Sequence, residues 1–402
     1  MALLTWIGFI ISTILLVLIA RKSLWIAIST ASIILGLFTI APVEVVQLFL
    51  NALLHLPNVL LATGMAFIPV LGTMMEESGQ INSLVKGLRI NKAIITGMAP
   101  SLIGLLPVPG GALISAPIVK QTAHELSDSK KCGVNVWCRH LLFLVYPAST
   151  GLIITTTLAN LDIYIAILYL LPSFSLSVIL AYLYYLRPIK GKIVNGQGES
   201  VKREEAMKGF LIIIATPIVD LIFRLLYGLM RFGVENLSLV LGVATSLFLS
   251  LYWGKFSASK MPKIIKKAKP WNLFLFMISI FFYLNIFLAS GLSELVVSYN
   301  LHPTILLVFF GFGLGYITGR TQVPLTILIP IYMGTYGLAS MSPLAYSVAM
   351  FATHIGYLLS PIHPCLSVTL DYFGTTYGKT FKAMLVPASI SLLLPLLLSF
   401  FI

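Results

Sequence analysis

Charge is what this chain has least of: 10% of its 402 residues are Asp, Glu, Lys or Arg, against about 25% in a soluble domain. That shortage excludes an ordinary water-soluble fold. Also missing are a long polar block that could fold as a nucleotide-binding or catalytic domain and a GxxxxGK loop followed by Ser or Thr, so ATP hydrolysis within the chain cannot power anything it does. Cysteine is scarce: Cys132, Cys138 and Cys365 form an odd set without CxxC spacing, two of them in a Lys-rich loop expected to be cytoplasmic, which argues for free thiols. No basic segment precedes the first apolar run, which Arg21 and Lys22 follow. It therefore reads as a retained helix and not a cleaved signal peptide, with the amino terminus outside.

Apolar residues are abundant. They make up 58% of the chain, the mean hydropathy is +0.98, and runs such as 3–20, 24–41 and 209–229 recur along the whole length. A membrane-crossing helix needs roughly 20 such residues at about 1.5 Å each, so the pattern describes an all-α polytopic protein of the cell membrane. The net charge of +13 and pI of about 9.6 do not point to nucleic acid. With the loop at Arg21 and Lys22 inside, all but Arg224, Arg231 and Arg320 of the 26 Lys and Arg residues fall on the cytoplasmic side, as the positive-inside tendency requires. Both termini are then expected outside.

The stretch 93–119 breaks the simple threading, because basic clusters flank it on both sides. One crossing would expose a cluster outside; two crossings would leave about 13 residues each, roughly 20 Å against a core of about 30 Å. A re-entrant hairpin fits, turning at Pro107-Val108-Pro109-Gly110-Gly111. Its broken backbone is tolerable at membrane depth only beside protein or a wet cavity. After spans at 140–160 and 163–186, a polar linker at 187–208 divides the chain. The second half, 209–402, repeats the plan of 1–186 with a hairpin at 303–333 turning near Gly319-Arg320-Thr321-Gln322. Ser78-Gly79, Val108-Pro109 and Gly151 to Thr155 have echoes in Ser290-Gly291, Val323-Pro324 and Gly356 to Ser360, in the same order. Because the halves enter from opposite sides, this is an inverted-topology repeat of about ten spans and two hairpins, a plan that secondary transporters use around a midplane site.

Several residues are candidates for that site. Arg320 places a permanent cation in the second hairpin, where an arginine costs about 2.5–3.5 kcal/mol and calls for a wet cavity, a counter-charge or an anion; in the alternative of two short spans it sits in a cytoplasmic turn. A guanidinium suits a carboxylate, and Thr321, Gln322, Gly110 and Gly111 would complete a substrate site with side-chain and backbone groups. Helix-breaking clusters at Pro147 to Gly151 and Ser360 to Cys365 expose carbonyls and helix ends; Ser149, Thr150, Thr155 and Ser360 add oxygens of the kind that hold sodium, or make ordinary interhelical hydrogen bonds. His354 and His363 are candidates for carrying protons or touching a ligand, and their spacing is no metal signature. Asp220 and Arg224, four apart, read as a structural pair before a proton relay. In Asn135-Val136-Trp137-Cys138-Arg139-His140, Trp137 and Arg139 read as anchors at the headgroup level.

Two halves of this design, with the wording LLPVPGGALISAP and then NVWCRH, resemble the ion transporter superfamily of gluconate permeases, sodium-dicarboxylate symporters and citrate or arsenite permeases, closest to a poorly characterised prokaryotic branch. The resemblance implies a mobile unit of hairpins and broken helices, a scaffold that forms a homodimer, and an elevator movement. Dicarboxylate members carry Ser-Asn-Thr at the hairpin tips, which this chain replaces with Val108-Pro109-Gly110-Gly111 and Thr321-Gln322-Val323-Pro324. The expected activity is secondary transport of a small organic anion, coupled to sodium or protons, with membrane lipid as the surroundings and no cofactor beyond a coupling sodium ion. A cation/proton antiporter is the alternative within transport. An intramembrane enzyme is the alternative outside it, opposed by the lack of HExxH, of GxSxG and of paired membrane aspartates.

Overall fold

A computed structural model describes residues 2–20, 22–87, 91–105, 111–191, 203–230, 234, 236–254, 256, 258–292, 295 and 301–402. Gly110, most of the first hairpin turn and much of the linker lie outside these residues. The fold is all-helical. Among the described residues seven helices are long and apolar enough to cross a membrane, and shorter apolar helices accompany them. This is an integral membrane protein.

In the first half, α1 (Ala2–Ala20), α2 (Leu24–Thr39), α3 (Pro42–Leu54) and α4 (Leu56–Glu77) are followed by a short α5 (Gln80–Lys86). The hairpin is α6 (Lys92–Gly104) and α7 (Gly111–Thr122); a broken helix follows as α8 (Asp128–Arg139) and α9 (Thr150–Leu158), and α10 (Ile163–Ala181) closes the half. The second half has α11 (Arg203–Met230), α12 (Leu237–Gly254), α13 (Met261–Ala268) and α14 (Pro270–Ala289). Its hairpin is α15 (Thr304–Thr318) and α16 (Gln322–Thr335), its broken helix α17 (Pro343–Leu359) and α18 (Pro364–Phe373), and its closing helix α19 (Tyr377–Leu398).

Local chemistry sets these boundaries. Asn91 caps α6 by accepting from Ala93 N at 2.7 Å, Asp162 caps α10 through Tyr164 N at 2.9 Å, and Ser342 caps α17 through Ala345 N at 3.1 Å. Each oxygen satisfies an N–H that has no partner within the first turn. Proline opens α3, α4, α14, α17 and α18, where its missing N–H costs nothing. Gly374 ends α18 at φ 61°, a left-handed backbone that glycine adopts freely.

Packing sorts the helices into two units. In one, α1, α2, α14, α4, α12 and α11 lie side by side, with α3 across α14. In the other, the hairpins and broken helices interlock: α8 packs on α6, α7 and α18; α9 on α16; α15 on α17; and α17 and α8 on α19. A Cβ at Gly315 would overlap the Thr353 carbonyl and one at Gly356 that of Phe312, so α15 and α17 meet backbone to backbone, as small residues allow in membranes. Large apolar side chains left exposed, among them Leu18, Leu168, Phe309 and Leu397, form the surface that lipid covers.

Contacts at the helix ends fix the hairpins as re-entrant. At one end of the bundle, Lys92 N donates to Gly191 O at 3.3 Å, Thr96 and Thr122 hydroxyls join the two arms of the first hairpin at 2.6 Å, and Lys190 N reaches Glu125 at 3.4 Å. At the other, Met341 N donates to Ala159 O at 2.9 Å, Tyr336 OH to Leu301 O at 2.9 Å, and Thr304 meets Ser399 at 2.8 Å. Each hairpin thus begins and ends on one side, the two on opposite sides. Arms of 13 and 12 residues in the first and 14 in the return arm of the second reach roughly 18–21 Å, short of the roughly 30 Å core.

Two expectations need correction. The span expected to begin at His140 begins at Asp128 and breaks over 140–149. Trp137 and Arg139 are no interfacial anchors: both are buried, Trp137 donating to Ser177 O at 3.1 Å. Ser127, with Asp128 behind it, starts α8 twelve residues earlier than hydropathy does, since its Oγ accepts from Lys130 N at 3.4 Å.

Candidate functional site

The site forms where two hairpin tips and two helix breaks converge. From its start at one membrane side, α8 rises 12 residues, roughly 18 Å, so Arg139 and His140 stand near the middle of a roughly 30 Å core. The first hairpin closes on Arg139: a Cβ at Gly104 would collide with its carbonyl and one at Gly111 with its guanidinium. Neither position admits a larger residue without moving that arginine. Asn135, fully buried one turn earlier on α8, donates to Ala112 O at 3.1 Å and to Thr369 Oγ1 at 3.1 Å, and accepts from Ser115 Oγ at 2.7 Å. With Ser101 Oγ donating to Cys138 O at 2.7 Å, these bonds tie both arms of the hairpin and α18 to α8. A fully satisfied buried polar network of this kind fixes one arrangement.

The second hairpin repeats the contact with a different residue. Gly319, at φ 61°, lies against Ile362 in the second break, which sets Arg320 and Thr321 beside that break. Ser360, fully buried, accepts from Ile362 N at 3.3 Å and so stabilises the break. Thr318 Oγ1 donates to Arg320 O at 3.2 Å and steadies the tip.

Between the breaks lies an aromatic and imidazole cluster. His140 from the first break and His363 from the second have ring centroids 4.8 Å apart, the Tyr357 ring lies tilted against His363 at 4.1 Å, and His354 lies 6.5 Å from His140. His140 Nδ1 faces the Val136 carbonyl at 2.8 Å, an acceptor only, so this nitrogen carries the hydrogen and Nε2 accepts from Tyr357 OH at 2.8 Å. Both nitrogens of His363, Nδ1 of His354, the Ser149 hydroxyl and Nη1 of Arg139 are buried without a hydrogen-bond partner. Groups in such positions are costly unless something else binds them. Tyr357 lies in electrostatic range of both Arg139 and Arg320. Among the described residues no carboxylate comes within ion-pair distance of either guanidinium, every ion pair lying elsewhere.

The expected site residues divide. Arg320, Thr321, Gly111, His354, His363 and Ser360 gather at this centre, with Gln322 opening the return arm α16. Ser149 and Thr150 stand at the start of α9. Thr155 is a turn further along, its hydroxyl bonded to Gly151 O at 2.8 Å and to Tyr346 OH at 2.7 Å. Sequence reasoning read Arg139 as a headgroup anchor and gave Asn135, His140 and Tyr357 no place in the site. Polar residues at 135, 139 and 140 within an otherwise Val-, Trp- and Cys-rich stretch were the available signal.

Asp220 and Arg224 do pair, Arg224 Nε donating to Asp220 Oδ2 at 2.8 Å. Asp220 also accepts from Tyr164 OH at 2.8 Å and from Ser238 Oγ at 2.7 Å, while Arg224 reaches Asp162 at 3.4 Å. The network joins α10 to α11 and α12. It lines a cleft of about 630 Å³ that descends between the two units to Pro147 of the first break. At the opposite side a cavity of about 340 Å³ is lined by Glu76, Glu77, Ile81, Asn82 and Ile114. There Lys267 of α13 bridges Glu76 at 3.0 Å and Glu77 at 2.7 Å, and its hydrogen bond to Glu77 raises its ammonium above the ordinary lysine pKa.

No curated protein matches the chain. Its fold is similar to that of the YdaH transporter of Alcanivorax borkumensis, whose crystal structure is described as having an unusual topology. The TM-score is 0.60 at 15% identity, covering 96% of this chain and 97% of that one. The family pattern described as protein of unknown function, DUF401, matches residues 3–402. The chain belongs to the DUF401 family.

Proposed function

We propose that this protein is a secondary transporter of a small organic anion, which binds where the two hairpin tips meet the two helix breaks. One observation supports the reading: two guanidinium groups, that of the buried Arg139 and that of the partly buried Arg320, lie in electrostatic range of the same Tyr357, and neither has a carboxylate partner among the described residues. Uncompensated cations at membrane depth are expensive, and an anion bound between them offsets that cost through charge-assisted hydrogen bonds. Thr321, Gln322, Ser149 and the amide end of α7 at Gly111 supply neutral donors around it. The cleft leading to Pro147 supports access from one side, and the likeness to a transporter fold supports movement of solute over catalysis. The inverted order of the halves agrees with an elevator movement in which the hairpin unit slides past the α1, α2, α4, α11, α12 and α14 unit.

The same two charges weigh against a cation/proton antiporter, since they disfavour a free cation as the transported solute when no anion accompanies it. Coupling to sodium would draw on Ser149, Thr150 and Ser360; coupling to protons would draw on His354 and His363. Purified protein is screened by thermal shift against carboxylates, sugar acids and inorganic oxyanions with and without sodium, and the stabilising solute is then followed into proteoliposomes. Uptake is expected in the wild type and lost in both Arg139→Ala and Arg320→Ala with folding intact. Full uptake in either variant contradicts the assignment of that arginine.

A further inference from the structure

We propose that His140, His363 and Cys365 form a binding site for a transition-metal ion of the zinc(II) or copper(I) type, bridging the two helix breaks. One nitrogen from each histidine and the Cys365 sulfur all lie within 4.8 Å of one another. Ligand atoms around a tetrahedral zinc stand about 3.4–3.6 Å apart, given Zn–N near 2.0–2.1 Å and Zn–S near 2.3 Å, so closure asks for movements of about 1 Å.

Three further observations point to a ligand here. The His363 ring is fully buried, yet neither of its nitrogens makes a hydrogen bond of good geometry, an arrangement that leaves a lone pair free to bind. His140 is held by the bond between Nδ1–H and the Val136 carbonyl, the outer-sphere contact that orients metal-binding histidines and leaves Nε2 to bind. Cys365 is partly accessible, unlike the buried Cys132 and Cys138. Two imidazoles and a thiolate suit zinc and copper(I), not the oxygen-seeking magnesium or calcium.

Chain spacing concealed the set, because His140 comes from one half and the other two ligands from the other half. The electrostatics are specific: Arg139 and Tyr357 stand beside His363 and His140, so a dication gains little unless Cys365 loses its proton on binding. A metal held here would pin the two breaks together and add positive charge to the centre that faces the anion. The site itself does not depend on the transport reading, and its test requires no transport.

Purified protein in detergent is titrated with cobalt(II), the spectroscopic stand-in for zinc, under anaerobic conditions. The wild type is expected to develop a thiolate-to-cobalt charge-transfer band, saturating at a stoichiometric ratio to the chain and bleached by zinc. The band should vanish in Cys365→Ser and binding should be lost in His363→Ala, both checked for folding by size exclusion and circular dichroism. A Cys132→Ala/Cys138→Ala chain should keep the band. Tyr357→Phe should tighten binding, because it releases the His140 nitrogen that the ion needs. Absence of the band in the wild type, its persistence in Cys365→Ser, or weaker binding in Tyr357→Phe would overturn the proposal.

Discussion

The two hairpins share a backbone plan but obtain their cation differently. In the second, the tip itself carries Arg320. In the first, Arg139 is delivered from the broken helix α8 and fitted against Gly104 and Gly111, which stand on either side of the turn. An inverted repeat therefore preserves position and not chemistry: each half offers one guanidinium to the centre, from elements that no alignment of the halves would pair. The difference also assigns vulnerability. Arg320 depends on a single turn, while Arg139 depends on a close packing of α6, α7 and α8.

The largest expected effect follows from that packing. Gly111→Val drives a branched side chain into the Arg139 guanidinium, and uptake by proteoliposomes should be abolished. Adding the same bulk at Gly313, which has open space beyond its Cα, should leave uptake near wild type. Next, Arg139→Lys and Arg320→Lys keep the charge and lose the planar donor pair. Affinity for the anion, read by the shift of a thermal-binding isotherm, should fall by roughly ten- to a hundredfold in each, since charge-assisted hydrogen bonds contribute about 1.5–3 kcal/mol. Equal losses would mean the two halves grip the anion alike; an unaffected variant would mark the idle half.

Asn135→Ala sharpens the contrast further, because among the described residues it is the first hairpin that such a residue ties down. Losing both amide bonds, to Ala112 O and to Thr369 Oγ1, and opening a polar void should lower stability by about 1–3 kcal/mol, visible as a lower melting temperature in detergent. Asp220→Asn should cost less, as the amide oxygen can still accept from Tyr164 and the amide nitrogen can donate to Ser238 Oγ, while the ion pair with Arg224 is lost; its main signature is expected in transport rate, because the network ties α10 to α11 and α12. Smallest of all, Lys267→Ala removes exposed bridges to Glu76 and Glu77 worth about 0–1 kcal/mol, with a melting shift that should disappear in high salt.

Much of the fold was legible in the sequence because lipid imposes it. Apolar length, basic loops and the Pro-Gly interruptions near 107–111 and 319–324 report directly on which segments cross and which turn back. Arg320 was legible for the same reason, as a charge where none is tolerated without cause. Arg139 was not, because it follows lysines and precedes an apolar run, where an arginine ordinarily meets headgroups. Only the Ser127 cap, read as the start of a helix, would have carried the chain 12 residues inward before reaching it. His140 and Tyr357 escaped for a further reason: their significance arises from a contact between halves, and hydropathy carries no information about which breaks meet.

The central claim is that Arg139 and Arg320 hold one solute between them. A double-mutant cycle on anion binding tests it most directly, comparing wild type, Arg139→Ala, Arg320→Ala and the double variant by calorimetry with the solute that stabilises the wild type. Two groups gripping one ligand should show losses that fall well short of adding, with a coupling of about 0.5–3 kcal/mol. Losses that sum within about 0.3–0.5 kcal/mol would place the two arginines in separate sites and contradict the account.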